Sequence, residues 1–263
     1  MELGLRGKVA VVAAASKGLG KAVAEELATE GVTLVLCARD DGALRATADA
    51  IRKRLGTKVH SVQADVSKAG DPERVVEEAL GNFGKVDILF TNSGGPPAGP
   101  FEAHDRTAWE SAVSLLLGSV VAFCQAVVPG MKERRWGRIL NLTSIAVKQP
   151  VDNLMLSNSL RSAVTGFART LANEVAPHGI TVNNLMPGFT RTDRMVELSE
   201  VTAKKEGITV EQAQARFSSQ IPMGRMGEPR EFAALAAFLA SDRASYITGQ
   251  SIAVDGGWIR GLL

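Results

Sequence analysis

The feature that most constrains this chain is a regular alternation of short apolar runs with longer segments of helical period. Seven runs rich in β-branched residues and leucine are bounded by turn residues: KVAVVAAA, VTLVLCA, KVHSVQADV, VDILFTN, RILNLTS, ITVNNLMPG and SIAVDGG. Helix-length segments such as GKAVAEELATEG, DPERVVEEALGNFG and EPREFAALAAFLAS separate most of them. Nearly continuous apolar strands joined through helices form a parallel sheet that is covered on both faces. We therefore predict one α/β domain over residues 1–263, with a doubly wound, seven-stranded parallel sheet.

Composition narrows the classes of partner. A net charge of +2, with no block of like charges, gives no electrostatic basis for binding nucleic acid or a membrane surface. We expect a small-molecule partner. Cys37 and Cys124 lie inside apolar runs without metal-ligand spacing, and the N-terminus has no secretory signal pattern, so we predict a cytoplasmic protein with reduced thiols and no metal site.

One segment, AVSLLLGSVVAFCQAVVPGM, is apolar enough to be compared with a transmembrane helix. Ser114, Ser119 and Gln125 interrupt it, and Pro129 lies near its end. A helix that is apolar nearly all round is also typical of a helix buried in protein. We assign the segment to a buried or subunit-interface helix.

A glycine-containing turn follows the first strand directly, in AAASKGLGKAVAEEL. Gly18 and Gly20 allow the backbone to approach a pyrophosphate, whose charge would face the positive end of the following helix. Glycine pairs at such turns also serve tight packing, so the turn alone leaves both interpretations open.

Several motifs in order make the chain resemble the short-chain dehydrogenase/reductase family, over residues 5–257. The turn is similar to the family's T-G-x-x-x-G-x-G, although Ala13 and Ala14 stand where that motif has Thr-Gly. ADVS, TNSGG, GRILNLTS and VNNLMPGFTRT match the family's later motifs. The resemblance implies a Rossmann fold that binds a nicotinamide dinucleotide, with these cofactor-binding residues: Ser16, Lys17, Gly18, Leu19, Gly20, Arg39, Asp65, Val66, Asn92, Ser93, Gly94, Arg161, Pro187, Gly188 and Thr192.

The charge at the end of the second strand predicts which dinucleotide binds. The carboxylate that would hold the ribose of NAD falls on Ala38, and Arg39 follows it. Lys17 supplies a second cation, and a guanidinium with an ammonium suits a 2′-phosphate. The alternative is that both are solvated surface cations. We predict NADP, with NAD the less favoured cofactor.

The catalytic pattern of the family is only partly present. Its members use a Ser, a Tyr acid thirteen residues later, a Lys four residues after the Tyr, and an Asn on the preceding helix. Counting from Ser144 places Ser157 and Arg161 at the Tyr and Lys positions, and Leu116 at the Asn position. The single tyrosine, Tyr246, belongs to a different part of the sequence.

Helical spacing indicates where the two replacement residues point. The apolar stripe of this helix, extended backwards from Val164, reaches Arg161 and then Ser157, so both are predicted to face the cleft. Arg161 paired with Asp152, or turned to solvent, is the alternative. Arg161 does not release its proton at working pH, and Ser157 needs a base. Lys148 is the least implausible substitute donor, a role that would require burial; the alternative is that it is a surface lysine.

We predict an NADP-dependent oxidoreductase with Ser144, Ser157 and Arg161 at an atypical catalytic site, similar to 3-oxoacyl-thioester reductases. The irregular, charged region 189–221 is predicted to be a substrate lid. The family resemblance also implies a homotetramer. One alternative is a catalytically degenerate NADP-binding protein that acts as a sensor or structural subunit. Another is an enzyme that uses the bound nicotinamide for a reaction that needs no Tyr acid.

Overall fold

The computed structural model describes residues 2–262, so the terminal residues of the predicted domain lie outside it. A single seven-stranded sheet runs through the molecule in the order β3-β2-β1-β4-β5-β6-β7, and every strand pair is parallel. The strands are β1 (Val9–Ala13), β2 (Thr33–Ala38), β3 (Val59–Gln63), β4 (Ile88–Thr91), β5 (Gly137–Leu142), β6 (Ile180–Pro187) and β7 (Ser251–Val254). This is the predicted fold.

Helices cover both faces of the sheet. They are α1 (Gly18–Thr29), α2 (Asp41–Leu55), α3 (Asp71–Phe83), α4 (Arg106–Val113), α5 (Ser119–Arg134), α6 (Met155–Val175), α7 (Asp193–Glu206), α8 (Val210–Ser219) and α9 (Pro229–Ala240). Apolar side chains of α1, α2 and α9 form one core with the sheet, and those of α3, α5 and α6 form a second core on its other face. The two cores explain why β1, β2, β4, β5 and β6 are buried at nearly every position.

Local signals in the sequence set several helix ends. Asp40 caps α2 by accepting a hydrogen bond from the Ala43 amide, and Gly56 ends that helix in the left-handed conformation. Pro72 lies in the first turn of α3, and Gly84 ends α3 in the same way that Gly56 ends α2.

The region 189–221 is not irregular, and that part of the prediction is wrong. It contains α7 and α8, joined through Gly207, which has a φ of +67°. Thr209 and Gln212 form a reciprocal capping box at the start of α8. The T-x-x-Q spacing was the available signal, and the charged composition obscured it.

Helices α4 and α5 are continuous through a π-helical turn at Ser114–Gly118. The combined helix, Arg106–Arg134, is long and apolar enough to cross a membrane by length and composition, with a mean hydropathy of 2.0. About two fifths of its apolar window is buried within the chain, 39%. The buried side packs on α3, α6 and the sheet, and Val113 is among the apolar side chains that stay exposed.

Candidate functional site

The predicted site residues lie in the loops that follow the carboxyl ends of the strands, or on the helices that start there. The turn after β1 carries Ser16 to Gly20, and the loop after β4 carries Asn92 to Gly94. Parallel strands place these loops at one edge of the sheet, on either side of the point where the strand order reverses between β1 and β4. Such a crevice is where open α/β sheets bind ligands.

The turn after β1 keeps a glycine-like geometry although it contains an alanine. Ala14 has a φ of +49° and Gly18 has a φ of +59°, both in the left-handed region. A Cβ on Gly20 would lie 2.3 Å from the carbonyl oxygen of Ala14, so no larger residue fits there without a backbone shift. Ala14 therefore preserves the tight turn at a conformational cost.

The start of α1 is open to an anionic ligand. Lys17 is the N-cap residue, and its side chain makes no capping hydrogen bond to the first-turn amides. Uncapped amides and the helix dipole together favour a phosphate at this position. The Lys17 ammonium lies 3.7 Å from a carboxylate oxygen of Asp193 and 4.0 Å from one of Glu197, so it also meets the first turns of α7.

Arg39 is exposed and crosses from the end of β2 toward the loop after β4. Its Nη2 would lie 3.7 Å from a Cβ on Gly94, and its charge also acts on Asp65. Burial tends to raise the pKa of Asp65, but two hydrogen bonds from Ser67, with the field of Arg39 and Lys68, leave that pKa below its ordinary value. The residues predicted to bind the adenosine half of a dinucleotide therefore lie close together.

On the other side of the crevice, β6 ends at Pro187 and packs tightly against the chain after β7. A Cβ on Gly188 would lie 2.7 Å from the Cα of Asp255, which explains the glycine. The side chain of Thr192, the N-cap residue of α7, approaches Gly18: its methyl carbon is 3.8 Å from the position of a Cβ there. The predicted lid thus begins directly over the glycine turn.

Ser144 stands at the end of β5, at the start of a short 3-10 turn. Its hydroxyl oxygen accepts a hydrogen bond of 3.1 Å from the amide of Ala146, which leaves the hydroxyl proton available to a ligand. Lys148, in the same loop, is exposed. It therefore lacks the burial that a substitute proton donor would need, and that alternative is not supported.

Ser157 and Arg161 both point inward from α6, as the helical spacing predicts; each is only 9% exposed. Arg161 donates a hydrogen bond of 2.8 Å from Nη1 to the carbonyl oxygen of Leu142, two residues before Ser144. Burial lowers the pKa of Arg161 to about 10. Neither alternative for Arg161, a pair with Asp152 or a solvent-exposed side chain, is present.

The residues that precede Ser157 and Arg161 in the chain belong to an apolar cluster. Leu116, in the π-turn between α4 and α5, packs in one buried cluster with Leu156 and Leu160. Tyr246, the single tyrosine of the chain, is fully exposed at 101%. No phenol therefore reaches the cleft.

A buried polar ladder beneath the site was not predicted from the sequence. Thr91 donates to the side-chain oxygen of Asn141 (2.8 Å), Asn141 donates to Asn184 (3.2 Å), and Asn184 donates to the hydroxyl of Ser251 (3.1 Å). The four residues are neighbours in register across β4 to β7. Polar residues within otherwise apolar strands were the signal, but their pairing needs the register of the sheet.

Comparison with known proteins places this geometry in a family. Residues 13–259 match the family described as enoyl-(acyl carrier protein) reductase. The 3-oxoacyl-[acyl-carrier-protein] reductase FabG of Aquifex aeolicus is 32% identical, over 98% of this chain and 99% of that protein. The NADPH-dependent reductase BacG of Bacillus subtilis is 34% identical, over 97% and 99%. The L-sorbose reductase of Gluconobacter frateurii, solved with NADPH and L-sorbose, superposes with a TM-score of 0.96 at 32% identity and covers 100% of both chains.

Proposed function

The chain belongs to the short-chain dehydrogenase/reductase family, and from that premise we propose that it is an NADP-dependent oxidoreductase with an atypical catalytic site. Its substrate is a carbonyl compound, or the matching alcohol, and the 3-oxoacyl-thioester reductases among its relatives make such thioesters one class to test. The proposal is supported by the inward, buried position of Ser157 and Arg161 on α6 and by the bond from Arg161 to Leu142, two residues before Ser144. These residues follow β5, at the same edge of the sheet as the glycine turn.

The nucleotide side fits NADP by its own geometry. Gly18 and Gly20 keep the turn close to the start of α1, where uncapped amides face the ligand. Lys17 and Arg39 flank this turn and would hold the 2′-phosphate. The prediction of NADP agrees with the NADPH named for BacG and for the L-sorbose reductase structure.

The chemical side assigns separate tasks to three residues. NADPH supplies a hydride when it is bound. Ser144 donates a hydrogen bond from its free hydroxyl to the substrate oxygen, and Arg161, fixed by its bond to Leu142, would hold the nicotinamide ribose. Ser157 holds a water in the place that a tyrosine phenol fills in the family pattern. Because that phenol is missing, the general acid is this water, which is a weaker acid than a tyrosine.

The loss of the tyrosine acid should slow the reduction of the substrate. General acid catalysis contributes about 10²–10⁴-fold, so reduction of simple ketones should be slower by about that factor than in an enzyme with the full pattern. Orientation and polarisation by Ser144 remain, and activity therefore does not vanish.

The test is NADPH oxidation over a panel of ketones and 3-oxoacyl thioesters. Ser144→Ala should lower the rate on any accepted substrate by at least tenfold. Ser159→Ala, an exposed serine on α6, is the matched control and should leave the rate unchanged. Tight NADPH binding without oxidation on any substrate would favour the alternative of a sensor or structural subunit, for which the missing phenol is the supporting observation.

A further inference from the structure

Arg161 and Ser157 present hydrogen-bond donors that the protein does not use. A guanidinium has five N–H donors, and within residues 2–262 Arg161 makes one side-chain hydrogen bond, to the oxygen of Leu142. The hydroxyl of Ser157 makes none in the same range. Both side chains are nine-tenths buried, one helical turn apart on the inward face of α6. A ligand with several acceptor oxygens would satisfy both.

The charge of Arg161 is also unmatched. In the described part of the chain, no carboxylate lies within 4 Å of its nitrogens, and burial alone accounts for the lowered pKa. A buried cation needs a counter-charge as well as hydrogen bonds. The hydroxyls of a nicotinamide ribose would accept hydrogen bonds, but they are neutral. The unmatched charge therefore favours a ligand that brings a negative charge over a neutral one.

Resting on the proposed function, we propose that Arg161 and Ser157 bind a carboxylate of the substrate, so that the site takes oxo acids whose carboxylate stands next to the reacting carbonyl. A planar guanidinium binds a carboxylate through two parallel hydrogen bonds. Arg161 is anchored to the oxygen of Leu142, two residues before Ser144, so one guanidinium would hold the carboxylate while Ser144 holds the carbonyl oxygen. The remaining guanidinium donors still serve the ribose.

The substrate's other end is apolar. Ile145 and Met186, next to the site at the ends of β5 and β6, belong to a cluster that includes Trp258. Val147 and Phe189 pack against this cluster and stay partly exposed on the loops that border the cleft. An apolar side chain on the oxo acid would pack against these residues.

The reaction balances without another reactant. A hydride from NADPH forms a bond to the carbonyl carbon, and the π pair of the C=O bond moves to the oxygen held by Ser144. A water beside Ser157 gives that oxygen a proton. The products are a 2-hydroxy acid, NADP⁺ and hydroxide, which the buffer neutralises.

Calorimetric titration with oxamate, and with its neutral analogue oxamide, tests the anion site without turnover. Oxamate should bind the protein, alone and with NADPH, at least tenfold more tightly than oxamide. Arg161→Met should abolish that difference. Arg169→Met, an exposed arginine two turns along α6, is the matched control and should keep it. If Arg161→Met does not fold, Ser157→Ala provides the second test and should weaken oxamate binding at least threefold.

Activity gives the second readout. With NADPH, kcat/KM for 4-methyl-2-oxopentanoate should exceed that for its amide at least tenfold, and Arg161→Lys should narrow the ratio. Equal binding of oxamate and oxamide, or a preference for neutral ketones or thioesters, would overturn the carboxylate site and leave the proposed reductase standing. Oxamate binding that depends on Arg161, in a protein that does not bind NADPH, would support the carboxylate site and refute the proposed function.

Discussion

Replacing Ala14 with glycine should stabilise the protein, because Ala14 holds a left-handed backbone conformation that only glycine adopts freely. Its φ of +49° costs an L-residue roughly 1–2 kcal/mol. Glycine also has more conformational freedom in the unfolded chain, which destabilises the folded state by about 0.4–1 kcal/mol and offsets part of the strain that Ala14→Gly removes. The difference leaves a net stabilisation of about 0.5–1 kcal/mol for Ala14→Gly.

Thermal unfolding measures this change. For a chain of this size 1 kcal/mol shifts Tm by about 2–4 °C, so Ala14→Gly should raise Tm by about 1–4 °C. The matched control is Ala15→Gly at the next position, which is fully buried and has no positive φ. It loses a buried methyl and gains unfolded-state freedom, so it should destabilise the protein by about 1–2 kcal/mol. A lower Tm for Ala14→Gly would refute the strain argument.

Three further predictions concern the cofactor, the thiols and the assembly. NADPH should bind at least about tenfold more tightly than NADH, and Arg39→Ala should remove most of that preference; equal affinities in the wild-type protein would refute the assignment of Lys17 and Arg39. Burial raises the pKa of Cys37 and of Cys124 to about 12, so iodoacetamide at pH 8 should label neither until the protein unfolds, and rapid labelling of the native protein would contradict this. Light scattering should give a homotetramer, or at least a dimer, because the helix over 106–134 exposes apolar surface; a mass near 27.8 kDa at micromolar concentration would exclude both.

The fold was predictable because its signals are local and repeated. Apolar strands and the glycine ends of α2 and α3 each depend on a few neighbouring residues, and the sheet follows from their alternation. The two helices of region 189–221 were missed because their charged, exposed sequence carries little apolar period. The Thr209 capping box was the one clear sign of them.

At the site, helical spacing predicted that Ser157 and Arg161 point inward. It did not predict their hydrogen-bond partners. The bond from Arg161 to the oxygen of Leu142 joins residues nineteen positions apart. The ladder through Asn141 and Asn184 likewise requires the strand register. The exposure of Lys148 could not be predicted from the sequence either, because it depends on which side of a short loop faces the cleft.

The central claim is that this site keeps Ser144 and the nucleotide turn but lacks the family's acid, and one double substitution tests it most directly. Ser157→Tyr with Arg161→Lys restores the family's pair on the inward face of α6, beside Ser144. The NADPH oxidation rate of this variant on ketones and 3-oxoacyl thioesters should rise at least tenfold over the wild-type protein, within the 10²–10⁴-fold range of general acid catalysis. The account would be contradicted if the wild-type protein oxidises no NADPH and the double variant, although folded and able to bind NADPH, also oxidises none. That outcome would favour a binding protein.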